Sequence, residues 1–120
     1  MATCLDVAGV DYPEEYDGHA IQPLEGFSLR PCFEKDTPVR ETLYWEHEGN
    51  AAIRIGDHKL VRAGINGDWE LFDLAQDRTE QNNLASDQPE RVKEMVTAWR
   101  SWAKSVNAIP KPAKRKQKSP

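Results

Sequence analysis

Four short runs of strand-forming residues follow one another between residues 41 and 74, and this spacing limits the fold more than any other feature. The runs occupy residues 42–46, 51–55, 59–63 and 69–73. Glycine beside turn-forming residues separates each run from the next. Strands joined by such short connections pair with their neighbours in opposite directions. We therefore expect a four-stranded antiparallel sheet.

The alternation of residues along the second run distinguishes the two faces of this sheet. Ile53 and Ile55 point to one face, and Ala52 and Arg54 point to the other. One face is therefore expected to meet a core, whereas the other meets solvent or a partner.

Residues 89–106 have the pattern of a helix that covers the sheet. Apolar side chains recur there at i, i+3, i+4 and i+7, which places them on one helical face. They are Val92, Met95, Val96, Trp99, Trp102, Ala103 and Val106. Asp87 is the expected helix cap with Glu90 three residues later, and Pro89 fits the first turn. Two tryptophans in this stripe indicate a structural core rather than a ligand site, because their side chains bury large apolar areas.

The N-terminal 40 residues predict a helix end followed by an extended connection. The apolar residues with helical spacing are Met1, Cys4, Leu5 and Ala8. Gly9 suits a left-handed helix stop, and a helix this short is unstable alone, so we expect the remnant of a longer one. The breakers that follow are Pro13, Gly18, Pro23, Gly26, Pro31 and Pro38. We expect a turn at Asp17 and Gly18. The apolar residues expected to hold this segment against another surface are Ile21, Leu24, Phe27 and Leu29.

The composition excludes several classes of partner. A net charge of -4 and an isoelectric point near 5.4 give no overall attraction to nucleic acid or to an anionic membrane. No apolar run reaches the roughly 18 residues that a membrane span requires. Residues 107–120 are basic and lack apolar periodicity, so we expect a disordered tail. Cys4 and Cys32 are too few for a disulfide scaffold and are expected to be buried thiols, with a disulfide between them left open.

Three stretches of the chain resemble the sulfatase family. Residues 1–26 contain TCLDVAG, a DG pair and PLEG, similar to the family segments PT-x-LD-x-AG and DG-x-SL-x-P-L-x-x-G. Residues 43–61, LYWEHEGNAAIRIGDHKLV, are the most specific and match the arylsulfatase pattern WEHEGN-x-A-[VI]-R-x-G-x-x-KLV. Residues 69–84 are similar to ELYDL-x-x-D-x-TE-x-x-NL.

The resemblance implies an α+β chain with four parts: a short N-terminal helix remnant, an extended linker, a four-stranded antiparallel sheet and one C-terminal helix packed on it. It implies that residues 1–40 connect to a missing N-terminal catalytic domain. Residues 41–106 would then be the sulfatase C-terminal subdomain, and residues 107–120 the tail. In the family, a cysteine or serine of a C/S-x-P-x-R motif becomes formylglycine, binds calcium and attacks the sulfate ester.

The nucleophile motif is absent from this sequence. None of Cys4, Cys32 and Ser28 has a proline two positions later, and neither do the other serines. We therefore assign no catalytic residue and no cofactor to this chain. Calcium and formylglycine are expected in the catalytic domain of the parent enzyme. The histidines, His19, His47 and His58, have no metal-ligand spacing, so no metal site is predicted.

His47 is the candidate substrate-binding residue. It ends the first strand and precedes a turn, from which an imidazole would reach the leaving-group side of an organic sulfate. A bond to the adjacent backbone is the structural alternative. Arg54 and Lys59 match the family pattern and are expected to pair with acidic groups of the catalytic domain. Strand alternation and turn chemistry explain neighbouring carboxylates, such as Glu46 and Glu48, without acid/base catalysis.

The preferred hypothesis is a C-terminal sulfatase fragment that supports the catalytic domain and is inactive alone. The intact enzyme would hydrolyse an organic sulfate ester. Two alternatives stay open: the tail of a related phosphodiesterase or phosphonate hydrolase, and a non-enzymatic interaction module. The compartment also stays open, because an export signal would lie upstream; a periplasmic or secreted parent is compatible with the sequence.

Overall fold

The chain divides into two compact units, Met1–Glu41 and Thr42–Pro120. The computed structural model describes residues 1–35 and 38–108. From residue 109 onward the predicted basic tail lies outside the described residues, so its disorder stays a prediction. Within the described residues, no helix has both the length and the apolar character needed to cross a membrane.

The first unit starts with a short helix and continues with a small hairpin. Helix α1, Ala2–Ala8, ends at Gly9 in the left-handed conformation, as the sequence predicts. Strands β1, Glu15–Tyr16, and β2, His19–Ala20, pair in antiparallel fashion. The two residues between them, Asp17 and Gly18, have φ values of 51° and 74°. Positive φ at both central positions gives the tight hairpin turn that the Asp-Gly pair favours.

The prediction that residues 10–40 form only an extended connection is wrong in part. Besides the β1–β2 hairpin, this segment contains a 3-10 helix at Arg30–Phe33. Pro13 and Pro23 flank the hairpin instead of interrupting it. Pro31 lies in the first turn of the 3-10 helix, where its missing N–H has no intrahelical partner to lose.

Helix α1 and the 3-10 helix contact each other. The Leu29 N–H donates to Thr3 Oγ1 at 3.0 Å, and Arg30 Nη1 lies 3.2 Å from Asp6 Oδ1. The Ser28 side chain and the Arg30 charge both lower the pKa of Asp6 below its ordinary value of 3.8. These polar contacts, rather than a core, join the two segments, because neither helix contains a buried residue.

Both cysteines are exposed, so the prediction of buried thiols is wrong. Cys4 carries a free thiol on α1, and Cys32 lies in the 3-10 helix. Their exposure follows from the absence of buried residues in these two helices.

The second unit contains the predicted sheet. Its strands are β3, Thr42–His47; β4, Asn50–Ile55; β5, His58–Arg62; and β6, Trp69–Asp73. They pair in the order β3-β4-β5-β6, and every pair is antiparallel. The predicted α+β fold with this sheet is therefore confirmed.

Two-residue turns fix the register of the first three strands of this sheet. Glu48 and Gly49 connect β3 to β4 with φ values of 51° and 92°, and His47 pairs with Asn50. A Cβ atom at Gly49 would lie 2.8 Å from the Ile65 side chain, so glycine is needed there for space as well as for its φ value. Because side chains alternate along a strand, this register also fixes which residues face the core.

Helix α2, Pro89–Ser105, covers one face of the sheet as predicted. The core residues come from the facing sides of both elements. They are Ala51, Ile53, Leu60, Leu71, Met95, Trp99 and Ala103. Trp102 stacks on Tyr44 with ring centroids 5.0 Å apart, and Trp99 Nε1 donates to the Trp45 carbonyl oxygen at 3.0 Å. The tryptophan stripe is thus part of the core, as the sequence predicts.

The predicted cap of α2 is wrong, because Gln88 rather than Asp87 is the N-cap and no side chain caps the helix. Pro89 occupies the start of the helix, and the residue before a proline avoids the helical conformation. Gln88 accordingly has φ -128° and ψ 57°. Asp87 belongs to the preceding turn, where its N–H donates to the Leu84 carbonyl at 3.0 Å.

Candidate functional site

The sheet face opposite α2 carries exposed apolar side chains. Trp45 pairs with Ala52, and Ala52 pairs with Val61, so these three residues form a row across β3, β4 and β5. Leu43 lies two residues before Trp45 on the same face. Trp45 is 46% exposed and Leu43 is 37% exposed. We call these four residues, Leu43, Trp45, Ala52 and Val61, the outer patch.

A cleft of about 480 Å³ lies along the outer patch at the β3–β4 turn. Trp45, Ala52 and Val61 line it together with polar residues. The polar residues are His47, Asn50, Lys59, Arg62 and Glu70. Apolar lining with a few convergent polar groups is typical of binding surfaces for ligands or for other protein segments.

His47 lies at the border of this cleft with an exposed side chain. Its backbone carbonyl accepts a hydrogen bond from Asn50 Nδ2 at 3.0 Å. Within the described residues, its imidazole makes no hydrogen bond. The structural alternative, an imidazole tied to the adjacent backbone, is therefore not observed in this part of the chain.

Asn50 holds the neighbouring loop beside His47. Its Oδ1 accepts a hydrogen bond from the Gly64 N–H at 2.9 Å, while its Nδ2 donates to His47. The connection between β5 and β6 is thus fixed to the β3–β4 turn. Asn50 was not predicted as a site residue, although its position in the WEHEGN segment was a usable signal.

Lys59 and Arg54, both predicted to pair with acidic groups of the catalytic domain, differ in outcome. Lys59 has an acidic partner within this unit, whereas the pairing of Arg54 stays a prediction. Lys59 Nζ lies 2.5 Å from Glu80 Oε1, so its acidic partner belongs to this unit and not to another domain, contrary to the prediction. Arg54 Nε donates to the Gly56 carbonyl at 2.8 Å. Among the described residues, no carboxylate forms a salt bridge with Arg54.

The neighbouring carboxylates stabilise turns. Glu46 Oε1 accepts a hydrogen bond from the Gly49 N–H at 2.9 Å, and Asp73 Oδ1 accepts one from Ala75 at 3.0 Å. Asp77 Oδ2 accepts two, from the N–H groups of residues 81 and 82 at 2.7 and 2.8 Å. Each carboxylate thus has a local structural role, in agreement with the turn chemistry expected from the sequence.

The described residues do not fit a calcium site. In residues 1–35 and 38–108, no group of three His, Cys, Asp or Glu side chains converges in a way that would hold a metal ion. Calcium prefers six to eight oxygen ligands, several of them carboxylates, so this part of the chain lacks the required donor set.

Comparisons with known proteins agree with this architecture of one sheet and one helix. No family model matches the chain. An uncharacterized sulfatase of Schizosaccharomyces pombe is 30% identical over 93% of this chain and 22% of its own length. BT4656, solved in complex with its substrate D-glucosamine-2-N,6-O-disulfate, is 25% identical with a TM-score of 0.65 and covers 95% of this chain. Ps i-CgsB, solved with a neocarrahexaose, is 22% identical with a TM-score of 0.63 over 85% of this chain, which supports the fold alone.

The fold and the outer patch define the second unit as a sheet-and-helix module whose sheet has exposed apolar side chains on the face opposite α2. The chain spans about a quarter or less of the length of the proteins it matches, 22% of the S. pombe protein and 25% of BT4656. The chain is similar to sulfatases over almost its whole length, which is consistent with a sulfatase C-terminal subdomain.

Proposed function

We propose that the unit starting at Thr42 serves as the C-terminal subdomain of a sulfatase that hydrolyses sulfate esters, and that its outer patch packs against the catalytic domain. The observation that carries this proposal is the exposure of Trp45 and Leu43 on a sheet face that α2 leaves bare. Large aromatic side chains at a protein surface are characteristic of interfaces. The nucleophile, calcium and formylglycine would belong to the catalytic domain, because this chain has neither the motif nor, in its described part, the ligands.

The first unit supports the same proposal. Its exposed large apolar residues are Met1, Val7, Val10, Tyr16, Leu24, Phe27, Leu29 and Phe33. A segment that exposes so many apolar side chains, and whose described residues include no buried one, gains stability by packing on a larger body. The greater length of the matched sulfatases is compatible with such a body.

The outer patch is tested by replacing Leu43 and Trp45 with serine together. The chain and the unmatched portion of the S. pombe sulfatase are co-expressed as separate polypeptides, and their association is measured by affinity purification. We expect the double variant to lose association at least tenfold, because truncating central aromatic anchors costs about 2 kcal/mol or more. The isolated wild-type chain is also expected to bind an apolar fluorescent dye more strongly than the variant.

The matched control replaces Lys93 and Arg100, two exposed residues of α2, with serine. This variant is expected to associate and to bind dye as the wild type does. Equal dye binding by wild type and the Leu43/Trp45 variant, together with unchanged association, would contradict the proposed interface.

We further propose that His47 contacts the leaving-group side of the sulfate ester in the intact enzyme. Its support is the exposed imidazole beside a cleft and its lack of a hydrogen bond within the described residues. In a full-length sulfatase that carries this chain, His47→Ala is expected to raise the Michaelis constant about tenfold, as loss of one hydrogen bond to a charged group does. Steady-state kinetics on several sulfate esters provide the measurement.

His19→Ala is the control for His47, because His19 is also exposed but lies on β2 in the other unit. We expect it to leave both kinetic constants unchanged. A His47→Ala enzyme with wild-type turnover and Michaelis constant on every ester would exclude the proposed contact.

A further inference from the structure

A second cleft, of about 430 Å³, lies between the β4–β5 turn and the segment that follows β6. Two arginines on different elements line it, Arg54 on β4 and Arg78 after β6. The remaining lining residues are Asp57, Leu74, Ala75 and Glu80. Arg54 is on the same sheet face as Leu43 and Lys59, because it pairs with both across the strands.

Hydrogen bonds and one salt bridge fix the two walls of this cleft to each other. The Leu74 N–H donates to the Asp57 carbonyl at 2.8 Å, which ties the end of β6 to the β4–β5 turn. The Lys59–Glu80 salt bridge, 2.5 Å long and about 70% buried, ties the later part of the segment to β5. The Asp77 carboxylate closes the turn between them. The backbone walls of a cleft built this way lose little conformational entropy when a ligand binds, so the ordering cost falls on the side chains that contact the ligand.

The charges inside the cleft leave an excess of cationic groups. Lys59 neutralises Glu80, and Asp57 is then the remaining carboxylate in the lining. Arg54 uses its Nε for the Gly56 carbonyl, which orients its guanidinium and leaves the two terminal nitrogens without a hydrogen bond in the described part of the chain. Arg78 is exposed and makes no hydrogen bond or salt bridge to the described residues. Two guanidinium groups therefore accompany one unpaired carboxylate, although the whole chain carries a net charge of -4.

We propose that the Arg54–Arg78 cleft is a binding site for a tetrahedral oxyanion, a sulfate or phosphate group. The planar guanidinium donates paired hydrogen bonds that match two oxygens of such a group. Arg54 and Arg78 come from separate elements that are fixed to each other and line the same cleft, so both can donate to one bound anion. The site is distinct from the outer-patch cleft and rests only on residues of this chain. It would exist even if the outer patch packed against nothing.

Titration of the isolated chain with sodium sulfate, followed by ¹H–¹⁵N NMR, tests the site. We expect saturable shifts of the backbone amides of Asp57, Ala75 and Arg78 and of the Arg54 Nε–H signal, against sodium chloride at equal ionic strength. Sodium phosphate is expected to give the same pattern, and acetate a weaker one. A parallel titration with glucosamine 6-sulfate distinguishes a free anion from a sulfate ester. Tighter binding of the ester than of free sulfate would identify a sulfate group attached to a sugar as the ligand.

Arg78→Gln is the decisive variant, because Arg78 is exposed and makes no hydrogen bond, salt bridge or ring contact with the described residues, so its loss breaks none of these interactions. Its affinity for sulfate is expected to fall about tenfold or more, and Arg54→Gln is expected to act similarly. Arg100→Gln, at an exposed arginine of α2, is the control and should bind sulfate as the wild type does. Shifts that fail to saturate, an equal response to chloride or acetate, or unchanged affinity in Arg78→Gln would overturn the proposal.

Discussion

Trp99→Ala is expected to destabilise the second unit by about 3 to 5 kcal/mol, the usual cost of removing a buried tryptophan. Trp99 is 4% exposed, packs edge-on against Trp69 with centroids 5.8 Å apart, and lies 6.3 Å from the Trp102 ring. The Arg62 guanidinium also lies 5.6 Å from its ring. Since small domains have total stabilities of about 5 to 15 kcal/mol, this loss leaves the variant close to unfolding. Urea denaturation followed by far-UV circular dichroism measures it.

Trp99→Phe separates the packing of this side chain from its hydrogen bond. Phenylalanine keeps an aromatic ring in the core but removes the Nε1–H that donates to the Trp45 carbonyl. We expect a smaller loss of about 1 to 3 kcal/mol, from the unpaired carbonyl and the reduced volume. Equal stabilities of Trp99→Ala and the wild type would show that α2 does not pack on the sheet as described.

Leu60→Ala is expected to lower the free energy of unfolding by about 2 to 5 kcal/mol. Leu60 is fully buried at the centre of the sheet, where it pairs with Ile53 on β4 and with Leu71 on β6. All three side chains are 0% exposed, so the neighbours can collapse only partly into the cavity. For a domain of this size, each kcal/mol lowers the melting temperature by about 4 to 8 °C.

Leu43→Ala provides a matched control on the opposite face of the same sheet. Leu43 is 37% exposed and belongs to the outer patch, so its truncation in the isolated chain is expected to cost less than about 1 kcal/mol. The same substitution is expected to weaken association with a catalytic domain. A loss of stability as large as that of Leu60→Ala would mean that the outer patch is part of the core and not a docking surface.

Local sequence patterns were sufficient to predict the sheet and its covering helix. Residues 69–73 were predicted as a strand and form β6 with the same bounds, β3 and β4 differ by one residue at one end, and β5 is shifted by one residue at both ends. This agreement arises because glycine-containing turns and alternation act over only a few residues. The N-cap of α2 was predicted wrongly. Asp87 is a residue type that often caps helices, but Pro89 restricts the backbone of the residue before it, and Gln88 is therefore the N-cap.

Pairings distant in the sequence were beyond prediction. Lys59 and Glu80 are 21 positions apart, and Trp99 and Trp45 are 54 apart. Lys59 was predicted to pair with another domain because no nearby residue in the sequence identifies Glu80 as its partner. Arg78 was not predicted as a site residue. It lines the same cleft as Arg54 only because β6 and the following segment return beside the β4–β5 turn.

The sequence by itself determined the order of strands and helix, the positions of the turns, the buried stripe of α2 and the likeness to sulfatases. The first three follow from backbone preferences and side-chain periodicity, which each residue expresses through its immediate neighbours, whereas the likeness rests on residues shared with the family segments. The tertiary structure decided which side of the sheet stays bare, which charges neutralise each other and where two arginines line one cleft. Those properties depend on the path of the chain in three dimensions, because burial and electrostatic pairing are set by whatever residues the fold brings within a few ångströms.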